Sequence, residues 1–129
     1  MIKKSFSRYD KSGNVIYSET KSVGEIVRHF YSYDENNRRI EYKSESSNGN
    51  MFEEHTEYHD NGYKNIITYR IPEHVYIKKM YNSDGRMIEQ TIVNNINGDI
   101  IYSTYNYITD KYDVHKTKTP FTYDSKVSY

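Results

Sequence analysis

Residues 58–64 read Tyr58-His59-Asp60-Asn61-Gly62-Tyr63-Lys64, and the pair Asn61-Gly62 within them carries the signal that decides the fold. Glycine adopts positive φ without steric cost, and Asn and Asp tolerate it better than other residues do. Two-residue β-hairpin loops need that conformation, so Asn-Gly or Asp-Gly between runs of strand-forming residues is a strong hairpin signal. This stretch therefore predicts a tight turn between two antiparallel strands.

Turn signals of the same kind recur on both sides of residues 58–64 at short intervals. Every glycine belongs to the series, and Asn36-Asn37, Pro72-Glu73 and Asp110-Lys111 fill the gaps, so turns are expected near residues 13, 24, 37, 49, 62, 73, 85, 98 and 111. The runs between them are rich in Tyr, Ile, Val and Thr, which suit a pleated surface. The spacing of 11 to 13 residues predicts an all-β fold, an antiparallel meander of about ten short strands in a strongly twisted or half-rolled open sheet.

A second, longer period covers pairs of strands. The tyrosines Tyr9, Tyr33, Tyr58 and Tyr81 each open a turn motif, and they follow one another at steps of 24, 25 and 23 residues. A fixed period of this size is the mark of a repeat protein, in which one hairpin buries little surface until it packs beside the next. We therefore expect hairpin repeats of about 24 residues.

The repeated motif resembles two known families of hairpin repeats. Tyr9-Asp10-Lys11-Ser12-Gly13-Asn14 and Tyr81-Asn82-Ser83-Asp84-Gly85-Arg86 are similar to the tyrosine-aspartate (YD) repeats of Rhs and teneurin-like proteins. Residues 58–64 also look like short MORN-type repeats. The likeness covers residues 6 to 111, and both families serve as scaffolds or binding surfaces. The resemblance therefore implies a binding protein with no catalytic motif to transfer.

The regular spacing places the domain boundary late in the chain. We expect one hairpin-repeat domain over residues 1–116 and a C-terminal extension over residues 117–129, where the spacing is lost. Pro120 disfavours helix in the residue before it, so this extension should be an extended segment that packs on a sheet edge or frays.

Composition limits the classes of function. Hydrophobic residues make up 35% of the chain, Tyr accounts for 16 of them, and Leu is absent. A Tyr-rich sheet suits one packed face and one exposed aromatic face, of the kind common at protein interfaces. Lys and Arg balance Asp and Glu at 18 each, which argues against a non-specific nucleic-acid binder while leaving room for a local patch.

An acidic patch is the leading candidate binding site. Residues 51–62 contain Glu53, Glu54, Glu57 and Asp60 with no Lys or Arg, so we expect these four acids to meet a basic partner surface. The basic pairs Arg38-Arg39 and Lys78-Lys79 point to opposite faces of their strands. We expect them to protect edges or to be solvated rather than to form a patch.

The same segment offers a metal-site hypothesis. Alternate residues of a strand share a face, so His55, Glu57 and His59 could place two imidazoles and a carboxylate around a divalent metal. The alternative is a solvated outer face with Phe52 and Tyr58 turned inward. No other cofactor is suggested by the sequence.

These observations predict a non-enzymatic protein-binding module. The sequence has no phosphate-cradling glycine loop, no nucleophile elbow and no cysteine. We expect a neutraliser of a larger bacterial protein, either an immunity protein for a toxin or a phage inhibitor of a defence nuclease. The alternatives are a carbohydrate or cell-surface binding module and an oligomeric repeat protein that pairs with a second copy through a sheet edge or face.

The expected location is the cytoplasm of a bacterial host. Lys, Asn, Ile and Tyr, whose codons are A/T-rich, supply 54 of the 129 residues, which favours an A/T-rich bacterium or a virus of one. The first eight residues have no apolar run, so we expect no signal peptide. No stretch is apolar enough for a membrane helix.

Overall fold

A computed structural model describes residues 4–118, and it confirms the all-β prediction. Ten antiparallel strands follow one another in the sheet in the order in which they occur in the chain, which is a meander. The strands are β1 (Lys4–Tyr9), β2 (Val15–Ser22), β3 (Glu25–Tyr33), β4 (Arg39–Ser46), β5 (Met51–Tyr58), β6 (Lys64–Ile71), β7 (Val75–Tyr81), β8 (Met87–Asn94), β9 (Asp99–Asn106) and β10 (Lys111–Lys118). Within these residues, no helix is long and apolar enough to cross a membrane.

The turns lie where the sequence places them, and their backbone explains the repeated motif. All six glycines have positive φ, and Asn37, Glu73 and Asp110 take the same conformation in the turns without glycine. In the first repeat the amide of Asp10 donates to the carbonyl of Asn14, and the amide of Gly13 donates back to the carbonyl of Asp10. The same two bonds recur in the turns that begin at Asp34, His59 and Asn82.

The aspartate of the motif closes this turn with its side chain. Oδ1 of Asp34 accepts the amides of Asn36 and Arg38, each at 2.9 Å. Oδ1 of Asp10 and of Asn82 accepts the amides two and four residues later in the same way. A short side chain with an acceptor oxygen therefore closes three of these four turns, whereas His59 holds the position in the third.

The tyrosine of the motif marks a bulge in the strand pairing. Tyr33 pairs with Arg39 although its neighbour Ser32 pairs with Glu41, so Ile40 is an extra residue on β4. The same shift occurs between Arg8 and Tyr9, where Ile16 is the extra residue, and between Met80 and Tyr81, where it is Ile88. A bulge reverses the alternation of side chains beyond it, because two residues on one strand oppose one on the other.

Contacts divide the chain into two compact units, Met1–His55 and Thr56–Tyr129. In the second unit the buried side chains are Ile67, Tyr76 and Val93, together with the polar Thr56 and Ser103. In the first unit the best-covered side chains are half-buried, as on β3 and β4. β10 continues to Lys118, so Thr117 and Lys118 of the expected extension belong to a strand, and residues 119–129 lie outside the described part of the chain.

Candidate functional site

The first two acids of the predicted patch, Glu53 and Glu54, are adjacent residues of β5. Its pairing with β4 places Glu53 opposite Lys43 and Glu54 opposite Tyr42. Glu53 and Glu54 therefore lie on opposite faces of the sheet. Glu54 shares its face with Phe52, and its side chain is 15% exposed.

Glu54 is the most strongly paired of the four acids. Its Oε2 lies 2.6 Å from Nη2 of Arg39, and the guanidinium of Arg39 also lies over the ring of Tyr42, 5.4 Å from the ring centre. The bulge at Ile40 puts Arg39 on this face. Since a compensated, half-buried carboxylate offers little charge to a partner, Glu54 is better described as a structural residue of the first unit.

The other three acids differ in their surroundings. Glu53 lies beside Lys43, whose pKa is raised chiefly by a hydrogen bond to Glu45 and by the charges of Glu45 and Glu53. Glu57 and Asp60 belong to the second unit, where both are exposed. Of the predicted patch, Glu57 and Asp60 thus retain the exposure that binding a basic surface would need.

The histidines of the predicted metal site have other neighbours. Nδ1 of His55 lies 3.5 Å from Oε1 of Glu41, the residue opposite it on β4. His59 follows the end of β5, and its Nε2 lies 2.8 Å from the carbonyl oxygen of Tyr81. Across residues 4–118, no three His, Cys, Asp or Glu side chains come together in a group that could hold a metal ion. The alternation of side chains along β5 does not extend to His59, because the strand ends at Tyr58.

A cleft lined by tyrosines lies in the second unit and was not anticipated as a site. It has a volume of about 520 Å³, and its walls come from the end of β5, from β6 and from the end of β7. The lining side chains that bear on its chemistry are Tyr58, Tyr63, Lys64, Ile67, Tyr69 and Tyr81. Clefts of ~300–1,000 Å³ with aromatic walls and a few polar groups are typical of small-molecule sites.

The tyrosine cleft combines aromatic rings with nearby positive charge. Nζ of Lys79 lies 5.6 Å from the centre of the Tyr69 ring, and Lys64 is an exposed residue of the wall. Burial raises the pKa of the Tyr81 phenol, with a smaller contribution from Tyr112. The Tyr81 phenol is therefore neutral near pH 7 and can donate and accept hydrogen bonds.

The turn between β9 and β10 presents a second exposed cluster. Ile108 at its tip is 95% exposed, and Tyr107 and Tyr112 are also exposed. Tyr105 contacts the Tyr107 and Tyr112 rings edge-on, and its hydroxyl forms hydrogen bonds with Arg86 and Asp110. Arg86 lies over the Tyr105 ring at 4.7 Å. We call Arg86, Tyr105, Tyr107, Ile108 and Tyr112 the turn cluster.

Comparison of the chain with protein families, with curated proteins and with solved structures finds no match. The resemblance to YD or MORN-type repeats stays a prediction, and arguments about function depend on the geometry described above.

Proposed function

We propose that the protein is a non-catalytic binding module that neutralises a larger bacterial protein, either as an immunity protein for a toxin or as a phage inhibitor of a defence nuclease. The observation that carries the proposal is the turn cluster. Tyr and Arg are, with Trp, the residues most enriched among those that dominate protein-interface energetics, and here they belong to the same turn region as an exposed isoleucine.

The exposed acids Glu57 and Asp60 supply the electrostatic part of the proposal. A nuclease has a basic groove for phosphates, and acidic side chains on an inhibitor can compete for it. Glu53 and Glu54 contribute less negative charge to such a surface, because Lys43 and Arg39 lie beside them.

The test is affinity capture followed by reconstitution. Tagged protein is used to isolate a partner from lysate of an A/T-rich bacterium, the partner is purified separately, and its binding and toxic or nuclease activity are measured with and without the protein. We expect a stoichiometric complex in which Tyr107→Ser/Ile108→Ser weakens binding by about tenfold or more.

Two further variants sharpen this test. Glu57→Lys/Asp60→Lys should weaken binding most at low salt, because screening already reduces the charge contribution at high salt. Val23→Ser changes an exposed apolar residue in a turn of the first unit and should leave binding unchanged. A purified partner that retains full activity in the complex would contradict neutralisation.

A carbohydrate-binding module is the second candidate, and the tyrosine cleft favours it. Aromatic rings with a few hydrogen-bonding groups suit the alternating apolar and hydroxyl faces of sugars. Binding to a glycan array that is lost in Tyr63→Ala, with no protein complex, would favour this candidate. An oligomeric repeat protein would instead self-associate, which light scattering across a concentration series detects.

A further inference from the structure

The register of β1, β2 and β3 brings four cations to one face of the first unit. Lys4 lies opposite Lys21, and Glu19 lies opposite Arg28. Arg8 lies opposite Tyr17 on the same face. These cations are far apart in the chain, so the patch depends on which residues face one another across strands and not on neighbours along the chain.

The single acid among these cations is already paired. Oε1 of Glu19 lies 3.8 Å from Nζ of Lys21, and Oε2 accepts a hydrogen bond from the hydroxyl of Tyr17 at 3.3 Å. Further acids of this face lie on β4 and β5, at Glu41, Glu45 and Glu53. Glu45 lies opposite Arg28, and its Oε1 is 3.0 Å from Nζ of Lys43, the cation that β4 adds to this face. The face is therefore basic on β1–β3 and more acidic on β4–β5, which is how a chain with no net charge can hold a local positive surface.

Three aromatic rings, one from each strand, run through the basic part of the face. The centres of Phe6 and Tyr17 are 5.9 Å apart, and those of Tyr17 and Phe30 are 5.3 Å apart. The guanidinium of Arg8 lies 5.5 Å from the Phe6 ring centre and 5.7 Å from that of Tyr17. Phe6 and Phe30 remain 47% and 38% exposed. We call these rings with the four cations the cationic-aromatic face.

A shallow hollow adjoins the first ring. It has a volume of about 400 Å³ and is lined by Lys4, Ser5, Phe6, Glu19 and Lys21. An anionic group in this hollow would meet two ammonium groups beside a phenylalanine ring, together with the Glu19 carboxylate that Lys21 and Tyr17 already engage.

We infer that the cationic-aromatic face binds single-stranded nucleic acid, with Lys4, Arg8, Lys21 and Arg28 near phosphates and the Phe6 and Phe30 rings stacked on bases. Proteins that bind single strands without sequence preference combine a positive surface with aromatic rings on which successive bases stack. A row of exposed rings across three strands suits unpaired bases, whereas the bases of a duplex are stacked on one another and expose only their edges. An acidic polypeptide would use the cations but has less use for exposed rings. This inference concerns a different surface from the turn cluster and stands independently of the proposed protein partner.

The test is fluorescence anisotropy of labelled oligo(dT) and oligo(U) of about twelve nucleotides, a length within the range that single binding domains cover. We expect binding at about 50 mM salt that weakens as salt rises. Lys21→Gln/Arg28→Gln should reduce the slope of log affinity against log salt by about 1.4, because each phosphate contact on a single strand contributes about 0.7.

The ring variants separate stacking from charge. Phe6→Leu/Phe30→Leu keeps apolar volume but removes the aromatic faces, and it should weaken binding by about tenfold or more without changing the salt slope. Arg70→Gln/Lys116→Gln removes two exposed cations of the second unit and is the matched control. Circular dichroism confirms that each variant is folded.

Chemical-shift mapping on the wild-type protein keeps the test independent of any variant's stability. Oligonucleotide should shift backbone amides of β1–β3, and shifts confined to β6–β10 would overturn the inference. So would absence of binding at low salt, or equal loss in the control variant. Displacement by polyglutamate as effective as by unlabelled oligonucleotide, with no effect of the ring variants, would assign the face to an acidic polypeptide and also overturn it.

Discussion

The hydroxyl of Tyr33 donates a hydrogen bond to the carbonyl oxygen of Val15 at 2.7 Å. Tyr33 ends β3 and opens the second Tyr-Asp turn, whereas Val15 begins β2 directly after the first turn. The bond therefore links successive repeats, so the hydroxyl of Tyr33 contributes to the structure in addition to its ring.

Replacing Tyr33 with Phe removes this bond and keeps the ring. We expect a loss of about 1 kcal/mol in the free energy of unfolding, the usual net contribution of such a bond. Tyr9 holds the equivalent position in the first repeat and is 61% exposed, so Tyr9→Phe is the matched control and should change stability little. Urea unfolding measures both, and equal losses would contradict the assigned role of the hydroxyl.

Two substitutions of Asp34 should show whether its turn needs a side-chain acceptor oxygen or a negative charge. Asp34→Ala leaves the amides of Asn36 and Arg38 without their side-chain acceptor, so we expect a clear drop in the urea midpoint. Asp34→Asn should lose less than half as much, because Asn82 already accepts the equivalent amides in the fourth repeat. An Asn variant as unstable as the Ala variant would show that the charge matters more than the bonds.

Acid should weaken the first two turns. The hydrogen bond from the backbone amide of Asn14 is the largest cause that lowers the pKa of Asp10 below the ordinary 3.8. The backbone amide of Arg38 has the same effect on the pKa of Asp34. The unfolded state then binds protons more readily, so this stabilisation is present above pH 3.8 and is lost as pH falls through the folded pKa values. Carboxyl chemical shifts against pH measure both values, and a midpoint at or above 3.8 would contradict the assignment.

Alkaline titration should reveal the hydrogen bond between Tyr102 and Glu89. Its hydroxyl donates to Oε1 of Glu89 at 2.6 Å, and this bond, with burial and the Glu89 charge, raises the pKa above 10.0. A raised pKa means that the unfolded state loses the proton first, so stability present below pH 10 falls as pH rises through the folded value. Glu89→Gln should bring the Tyr102 pKa down in an NMR titration while leaving that of Tyr76 raised by its own burial. A change at both tyrosines would indicate general unfolding.

Gly85 should tolerate Asn better than Ala. Its φ is +90°, and a Cβ there would meet no atom within 4 Å, so the cost comes from backbone strain rather than from a clash. We expect Gly85→Ala to cost about 1–2 kcal/mol. Gly85→Asn should cost less, because Asn37 occupies the equivalent position with a φ of 62°. Thermal or urea unfolding compares the two, and equal losses would contradict the strain argument.

The strands and turns were predictable because their causes are local. A hairpin turn depends on the sign of φ at one residue and on side-chain acceptors within four residues, and both can be identified in the Tyr-Asp motif. The same local logic does not extend to the candidate site. Counting alternate positions predicted a shared face for His55 and His59, but β5 ends before His59.

The sequence by itself determined how many strands form and where each turn lies, since those choices concern residues that are adjacent in the chain. The tertiary structure decided which side chains meet. A bulge at Ile40 puts Arg39 beside Glu54, and the β1–β2 register puts Lys4 opposite Lys21. Register is a relation between two strands, and one extra residue moves every later side chain of its strand to the opposite face. No property of a single strand could therefore have predicted these neighbours.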